Sequence, residues 1–520
     1  MVFSHPLEAP VSNRLRLLRV LVSLVFASFF LLAAAPASQV EFLEGVASGE
    51  VTHQSAVLWT RASQATAIKV EVFDNDELEP PKVFQQTVRT TPGSDLTAKV
   101  IATGLDPETR YWYQWRRGNQ RSRVGTFRTA PDPSEVEDVR FTFSGDSDGS
   151  LLNGAPFFNH FEVLDAVRAE ESDFFVYLGD LIYSDSFVRT LAGMGPAVSL
   201  DEYRATWRLN RGFATLRNLL AALPIFTIWD DHEVLNDYDG QTVDPTRYAN
   251  GRQAYFEYLP TAEVNLPEDP VCAGDPLFKV FHYGAAMDMI VLDERSCRSA
   301  DVADVCQGDL APTLPAPLRG LAGLPPAPPA GCLQALNDPT RTMLGPVQKQ
   351  AFKDALATST AKFKVVISGE PIQQFWALPY DRFEGYAAER AELLDFIRTS
   401  GIQNVVFLST DIHANLVNQV VVDTFTAPQP VATEFVTGPI ARNTFAANVV
   451  SVAGPAGLAQ LQLILAGVAG VECQALDAFS YGLVELDDDA GTLTVSLKDD
   501  QGNVLPDDLT TLPCTQTLGP

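Results

Sequence analysis

Between residues 139 and 413 the apolar positions fall in short unbroken runs, and each run ends close to a carboxylate or a histidine. Phe141 to Ser144 leads into Asp146 and Asp148, and Phe174 to Leu178 into Asp180. Ile225 to Trp229 leads into Asp230, Asp231 and His232, and Val405 to Leu408 into Asp411 and His413. Continuous β-branched and aromatic runs of this length predict strands buried on both faces. Helical patterns at 161–168, 348–357 and 390–399 separate strands, so an α/β domain with a mainly parallel sheet is expected. Ligands bind beyond the carboxyl ends of such strands. Residues 40–129 differ: short alternating segments at 55–60, 67–73, 97–101, 111–115 and 125–128 predict a small β-sandwich of about 90 residues. Pro131-Asp132-Pro133 reads as a linker, and 482–486 with 492–497 as a hairpin completing a sheet edge.

Two stretches depart from both patterns. Residues 309–330, rich in Pro, Leu, Ala and Gly, read as an irregular surface insertion with Cys306 and Cys332 placed to staple it. Residues 443–471 carry no charged side chain. They are long enough to span a bilayer, but Asn448, Pro455, Gln460 and Gln462 favour a packed helix or a lid with an apolar face.

Composition narrows the function. At 520 residues and 46% hydrophobic content the chain has material for two or three domains. A formal net charge of −28 excludes non-specific nucleic-acid binding. It also repels anions at long range, so any phosphate must be captured locally by cations. Arg14, Arg16 and Arg19 precede an apolar stretch, Val20 to Leu32, and then Ala35-Pro36-Ala37. This predicts a signal peptide over 1–37, with an uncleaved anchor as the alternative. Export to the periplasm, cell surface or medium follows, with no stable membrane span after cleavage. The six cysteines fit structural disulfides in an oxidising compartment.

The chemistry lies in Gly145-Asp146-Ser147-Asp148-Gly149, Gly179-Asp180-Leu181-Ile182-Tyr183, Trp229-Asp230-Asp231-His232-Glu233 and Thr410-Asp411-Ile412-His413. Carboxylates gathered at one sheet edge repel unless cations lie between them, and Asp, His and Tyr suit hard or borderline metals. Two neighbouring metals need a bridging carboxylate and terminal ligands. Asp180 is the natural bridge, and Tyr183 is placed to curl back as a phenolate, which favours Fe(III) over Zn(II). With Asp231 a ligand that fixes its turn, His232 is placed as the general acid. Ser147 has no base at a suggestive spacing and reads as a backbone-bonding loop residue.

The order Gly-Asp-x-x-Tyr, Asp-His-Glu, Asp-x-His resembles the calcineurin-like metallophosphoesterase superfamily, and Trp-Asp-Asp-His-Glu resembles its PhoD-type alkaline phosphatase branch. Gly45 to Gly49, Leu58 to Arg61, Leu292 to Arg295, Met343 to Pro346 and Glu384 to Arg390 are similar to further signatures of that branch. Gly104-Leu105-Asp106-Pro107 before Tyr111-Trp112-Tyr113 looks like a fibronectin-type module. The resemblance implies a four-layer α/β/β/α metallophosphoesterase core preceded by a small fibronectin-like β-sandwich. The expected division is 1–37, a sandwich at 38–132, a catalytic domain at 137–502 and a tail at 503–520. It further implies phosphate mono- or diesterase activity with Fe(III) and Ca(II), or else Zn, Mn or Mg, and a small phosphate ester as substrate. Carried over by position, Asp146, Asp148, Asp180, Tyr183, Asp231, Asp411 and His413 are the metal ligands. Asp146 stands where the branch commonly has cysteine, and Asp148 where the wider superfamily has histidine. Glu370 stands as a substitute for another absent histidine. The expected mechanism is in-line attack by a metal-bound hydroxide, with His232 protonating the leaving group. Rival readings are a phospholipid or teichoic-acid-type phosphodiesterase and a catalytically silent, metal-stabilised surface binding protein.

Overall fold

The apolar runs form strands, but they belong to two facing sheets instead of one, and each is parallel only at its centre. In the computed structural model, Met1 and residues 40–519 are described, apart from 264, 265, 268 and 468 and the side chain of Leu321. The expected signal peptide lies outside the described residues.

The first sheet has nine strands, in the order Thr515–Leu518, Thr492–Asp499, Ser480–Asp487, Val139–Ser144, Phe174–Tyr177, Ile225–Thr227, Val46–Gly49, Ser55–Arg61 and Thr97–Thr103. The second has seven: Lys279–Tyr283, Met287–Val291, Phe363–Ile367, Val405–Ser409, Ala427–Val436, Asn415–Asp423 and Val471–Ala475. Pairing is parallel from Val139–Ser144 to Val46–Gly49 and from Met287–Val291 to Ala427–Val436, and antiparallel at the flanks. Side chains alternate between faces along each strand. Met287, Met289, Val365, Ile367, Val406 and Leu408 therefore meet Phe141, Phe143 and Phe174 of the first sheet in one core. Ile290, Val366, Val405 and Phe407 point the other way, onto helices Gly345–Thr358 and Ala387–Thr399. Val163–Ala169 and Ala214–Ala222 pack into the first-sheet core through Val163, Leu164, Leu216 and Leu219. The result is the expected α/β/β/α layering.

The N-terminal sandwich is present, but half of it is shared. Strands Ala67–Phe73, Phe84–Arg89, Arg110–Arg117, Gln120–Arg121 and Gly125–Arg128 form a separate five-stranded sheet. The sheet that faces it is the outer part of the nine-stranded one, joined where Gly49 pairs in parallel with Ile225. That junction covers an edge the catalytic sheet would otherwise expose. A Cβ at Gly49 would lie 2.7 Å from the Ile225 carbonyl oxygen, so the close approach requires glycine. Within the expected tail at 503–520, Thr515–Leu518 is an edge strand, and Cys514 bonds Cys473. Cys272–Cys297 and Cys306–Cys332 complete the pairing, the latter stapling the 309–330 insertion. Helix Phe445–Gly467 is long and apolar enough to cross a membrane. It breaks at Gly454 (φ 68°) and buries only Ala446 and Leu465, so it is less packed than expected.

Candidate metal centre

Four strand ends of the two sheets deliver the acidic segments to one place, and the chain turns sharply after three of them. Asp146 (φ 61°), Asp180 (φ 51°), Asp411 (φ 69°) and His413 (φ 55°) all adopt the left-handed conformation. Such conformations are costly for residues with a Cβ and cluster at functional sites. Donor atoms of Asp146, Asp180 and His413 lie within 4.8 Å of one another, as do those of Asp180, Asp231 and His232. Asp180 belongs to both groups. Tyr183 joins the first, its hydroxyl 3.1 Å from His413 Nε2.

The site is dominated by buried, unpaired acid. Asp146 Oδ1, Asp230 Oδ2 and Asp231 Oδ1 are buried without a hydrogen-bond partner. Burial pushes Asp146 up to about 7, against a 2.7 Å hydrogen bond that Thr410 Oγ1 donates to its Oδ2. Burial and neighbouring carboxylates likewise hold Asp180 and Asp411 well above the usual carboxylate range. Burial pushes His413 down to about 3, helped by Arg442, which keeps the ring neutral as a ligand requires. A native fold leaves few buried polar atoms unsatisfied. Three orphaned oxygens beside a neutral imidazole fit cations, and this all-oxygen and nitrogen set suits hard or borderline ones.

His232 sits differently. Its Nδ1 is 2.5 Å from Asp185 Oδ1, while Nε2 lies 3.9 Å from both Asp180 Oδ2 and Asp231 Oδ1. Burial disfavours a charged ring, yet Asp231, Asp180 and Asp185 outweigh it and hold the imidazolium well above its usual range. Asp185 also accepts from the Asn236 backbone at 2.6 Å. Sequence reasoning missed Asp185, although it stands two residues after Tyr183.

The other expected residues divide. Asp411 is half-buried among acidic neighbours, near Glu370 and Asp230. Asp148 differs from expectation. Its Oδ2 accepts from Ser186 Oγ at 2.5 Å and pairs with Arg442 at 3.1 Å, and its Oδ1 accepts from the Ser150 backbone. With both oxygens so occupied, it holds an arginine instead of offering a free donor. Glu370 pairs with Arg295, whose side chain is wholly buried and also bonds Asp230 (2.6 Å) and Asp381 (2.8 Å). Ser147 bonds Tyr177 and the Asp180 carbonyl, as a loop residue should.

A four-layer fold with this acid and histidine cluster at its strand ends is that of a metallophosphoesterase. The PhoD-like phosphatase family model matches residues 152–495, and that of the PhoD-like phosphatase N-terminal domain matches 29–131. The chain belongs to the PhoD-like phosphatase family and is a phosphoric ester hydrolase. It is 29% identical over 431 residues to alkaline phosphatase D of Bacillus subtilis strain 168, covering 75% of this chain and 67% of that protein. A solved structure of PhoD superposes with a TM-score of 0.73 at 24% identity, covering 93% of this chain and 90% of the other. The yellow lupin (Lupinus luteus) purple acid phosphatase PPD1 gives 0.55 at 12% identity, covering 92% and 74%.

Proposed function

We propose that the protein is an exported, metal-dependent phosphoesterase that hydrolyses phosphate mono- or diesters at two cations sharing Asp180. The observation that carries this reading is Asp180, whose carboxylate lies within 4.8 Å of donor atoms of Asp146 and His413 on one side and of Asp231 on the other. Asp146, Asp180, Tyr183 and His413 would hold one cation, and Asp180 and Asp231 the other, with Asp411 beside them. Bound there, the metals would neutralise the phosphoryl oxygens and acidify water, the two contributions this chemistry requires. His232 Nε2 is the proton donor to the leaving oxygen, and Asp185 fixes the ring through Nδ1. Asp185, which faces Nδ1 and is not one of the proposed ligands, favours the protonated ring.

Fe(III) with Ca(II) is the favoured pair, because Tyr183 binds as a phenolate only to a strongly acidifying ion. Burial, together with the neighbouring Asp180 and Asp146 carboxylates, holds its phenol protonated far above the usual range. A visible tyrosinate-to-iron absorption band checks this, and a colourless, iron-free active enzyme refutes it. Three disulfides support export. The primary test is hydrolysis of matched chromogenic phosphate mono- and diesters with and without chelator. Chelator-sensitive turnover is expected, and the faster ester identifies the substrate class. No turnover with metals bound would leave a silent binding protein.

A further inference from the structure

Beside the metal centre, one side is lined by aromatic rings and an arginine that the chemistry above does not use. The Arg442 guanidinium lies 4.6 Å from the Tyr183 ring centroid, 5.1 Å from Phe187 and 5.4 Å from Phe158. Phe157, Phe158 and Phe187 contact one another edge to face, with centroids 5.0 to 6.0 Å apart. Phe157 is 38% exposed and Phe187 39%, so two rings present apolar surface to water directly beside a catalytic centre. Together the adjoining rings give this side of the centre an apolar face.

The rim is also braced. Asp148 Oδ2 pairs with Arg442 and accepts from Ser186 Oγ, which itself accepts from the Val188 backbone and caps helix Phe187–Leu191. Asn159 Nδ2 donates to the Ile440 carbonyl at 2.8 Å, tying the Phe157-Phe158 loop to the Arg442 segment. One buried carboxylate therefore sets both the arginine and the ring beside it.

Building on the phosphoesterase reading, we propose that Arg442 and the Phe157-Phe158-Phe187 rim form the subsite for the organic half of the ester, and that it selects aromatic or similarly flat, apolar alcohols. A guanidinium stacks on flat π-faces while its free N–H groups still reach an anionic oxygen. The three phenylalanines offer edges and faces to the rest of the group. A polyhydroxylated alcohol would gain nothing from either.

The test compares kcat/KM for 1-naphthyl phosphate and glycerol 2-phosphate in the metal-loaded full chain. Phe187→Ser and, separately, Phe157→Ser should each lower the naphthyl-to-glycerol ratio about tenfold, the scale of one apolar specificity contact. Arg442→Lys should raise KM for the naphthyl ester more than it lowers kcat, since the planar stack is lost and the charge kept. Leu512→Ser, on distant exposed surface, serves as the control for a generic loss of apolar surface. An unchanged ratio in both phenylalanine variants, with chelator-sensitive turnover of both esters intact, overturns the subsite and spares the phosphoesterase reading. Failure of the wild type to hydrolyse either ester overturns both.

Discussion

Changing Asp185 to asparagine isolates the proton-donor role from metal binding. The side chain keeps its shape and its bond from the Asn236 backbone, but loses the negative charge facing His232 Nδ1 at 2.5 Å. Both partners are nearly buried, at 4% and 11% side-chain exposure, so solvent screens the pair little. A charge-assisted bond of this kind contributes about 1.5–3 kcal/mol. At about 1.4 kcal/mol per tenfold in rate, kcat on an alkyl phosphate should fall roughly 10- to 100-fold. His232→Ala should cost about 10²–10⁴-fold on the same ester. A dinitrophenyl ester, whose leaving group departs without a proton, should lose less than about threefold in either variant. The assay is kcat on the two esters, with metal content measured by elemental analysis. An equal loss on both esters would refute the assignment. So would loss of metal from His232→Ala, which would make the ring a ligand instead of an acid.

Three further outcomes rest on packing and charge. Arg295→Met leaves Asp230, Glu370 and Asp381 without their buried cation and should destabilise the fold by about 3–5 kcal/mol in denaturant unfolding; a cost below about 1 kcal/mol would show the network to be dispensable. At Gly438, φ is 117° and an added Cβ would meet Asp146 Oδ2 at 2.3 Å, so Gly438→Ala should weaken metal retention about 10- to 100-fold, read by dialysis against a chelator, in a protein that still folds. Burial pushes Lys99, far from the metal centre, down to about 8 from its ordinary 10.5. Between those values the unfolded chain holds more protons than the folded one, so Lys99 makes stability rise with pH there. Lys99→Met should flatten that rise, and identical pH profiles for the two proteins would contradict it.

The strand ends were legible because a run such as Phe174 to Leu178 cannot lie at a surface, and the residues just after it must emerge at a sheet edge. Which sheet was not legible. Val365, Val406 and Phe141 belong to runs that look alike in sequence, because strands buried on both faces carry no mark of their neighbours. In the structure Asp180 lies within reach of two donor groups, and the Tyr183 hydroxyl is 3.1 Å from His413 Nε2. Asp148 enters the expected ligand set only by its position in the family pattern, two residues after Asp146. The left-handed turn at Asp146 separates them, and Asp148 meets Arg442, 294 residues away. No local pattern announces such a partner. Asp185 escaped for a different reason: it lies in a polar stretch beyond the strand, where an aspartate is ordinary until the fold sets it against His232. Sharing of the outer N-terminal strands with the catalytic sheet rests on the backbone approach at Gly49, which reads in sequence as one more turn glycine.

The central claim is that two cations share Asp180, and counting metal ions bound to aspartate variants tests it most directly. With elemental analysis of dialysed protein, Asp180→Asn should lose both ions, while Asp146→Asn and Asp231→Asn should each lose one, and a different one. Retention of one full equivalent by Asp180→Asn, or loss of the same ion from Asp146→Asn and Asp231→Asn, would contradict the shared-carboxylate site.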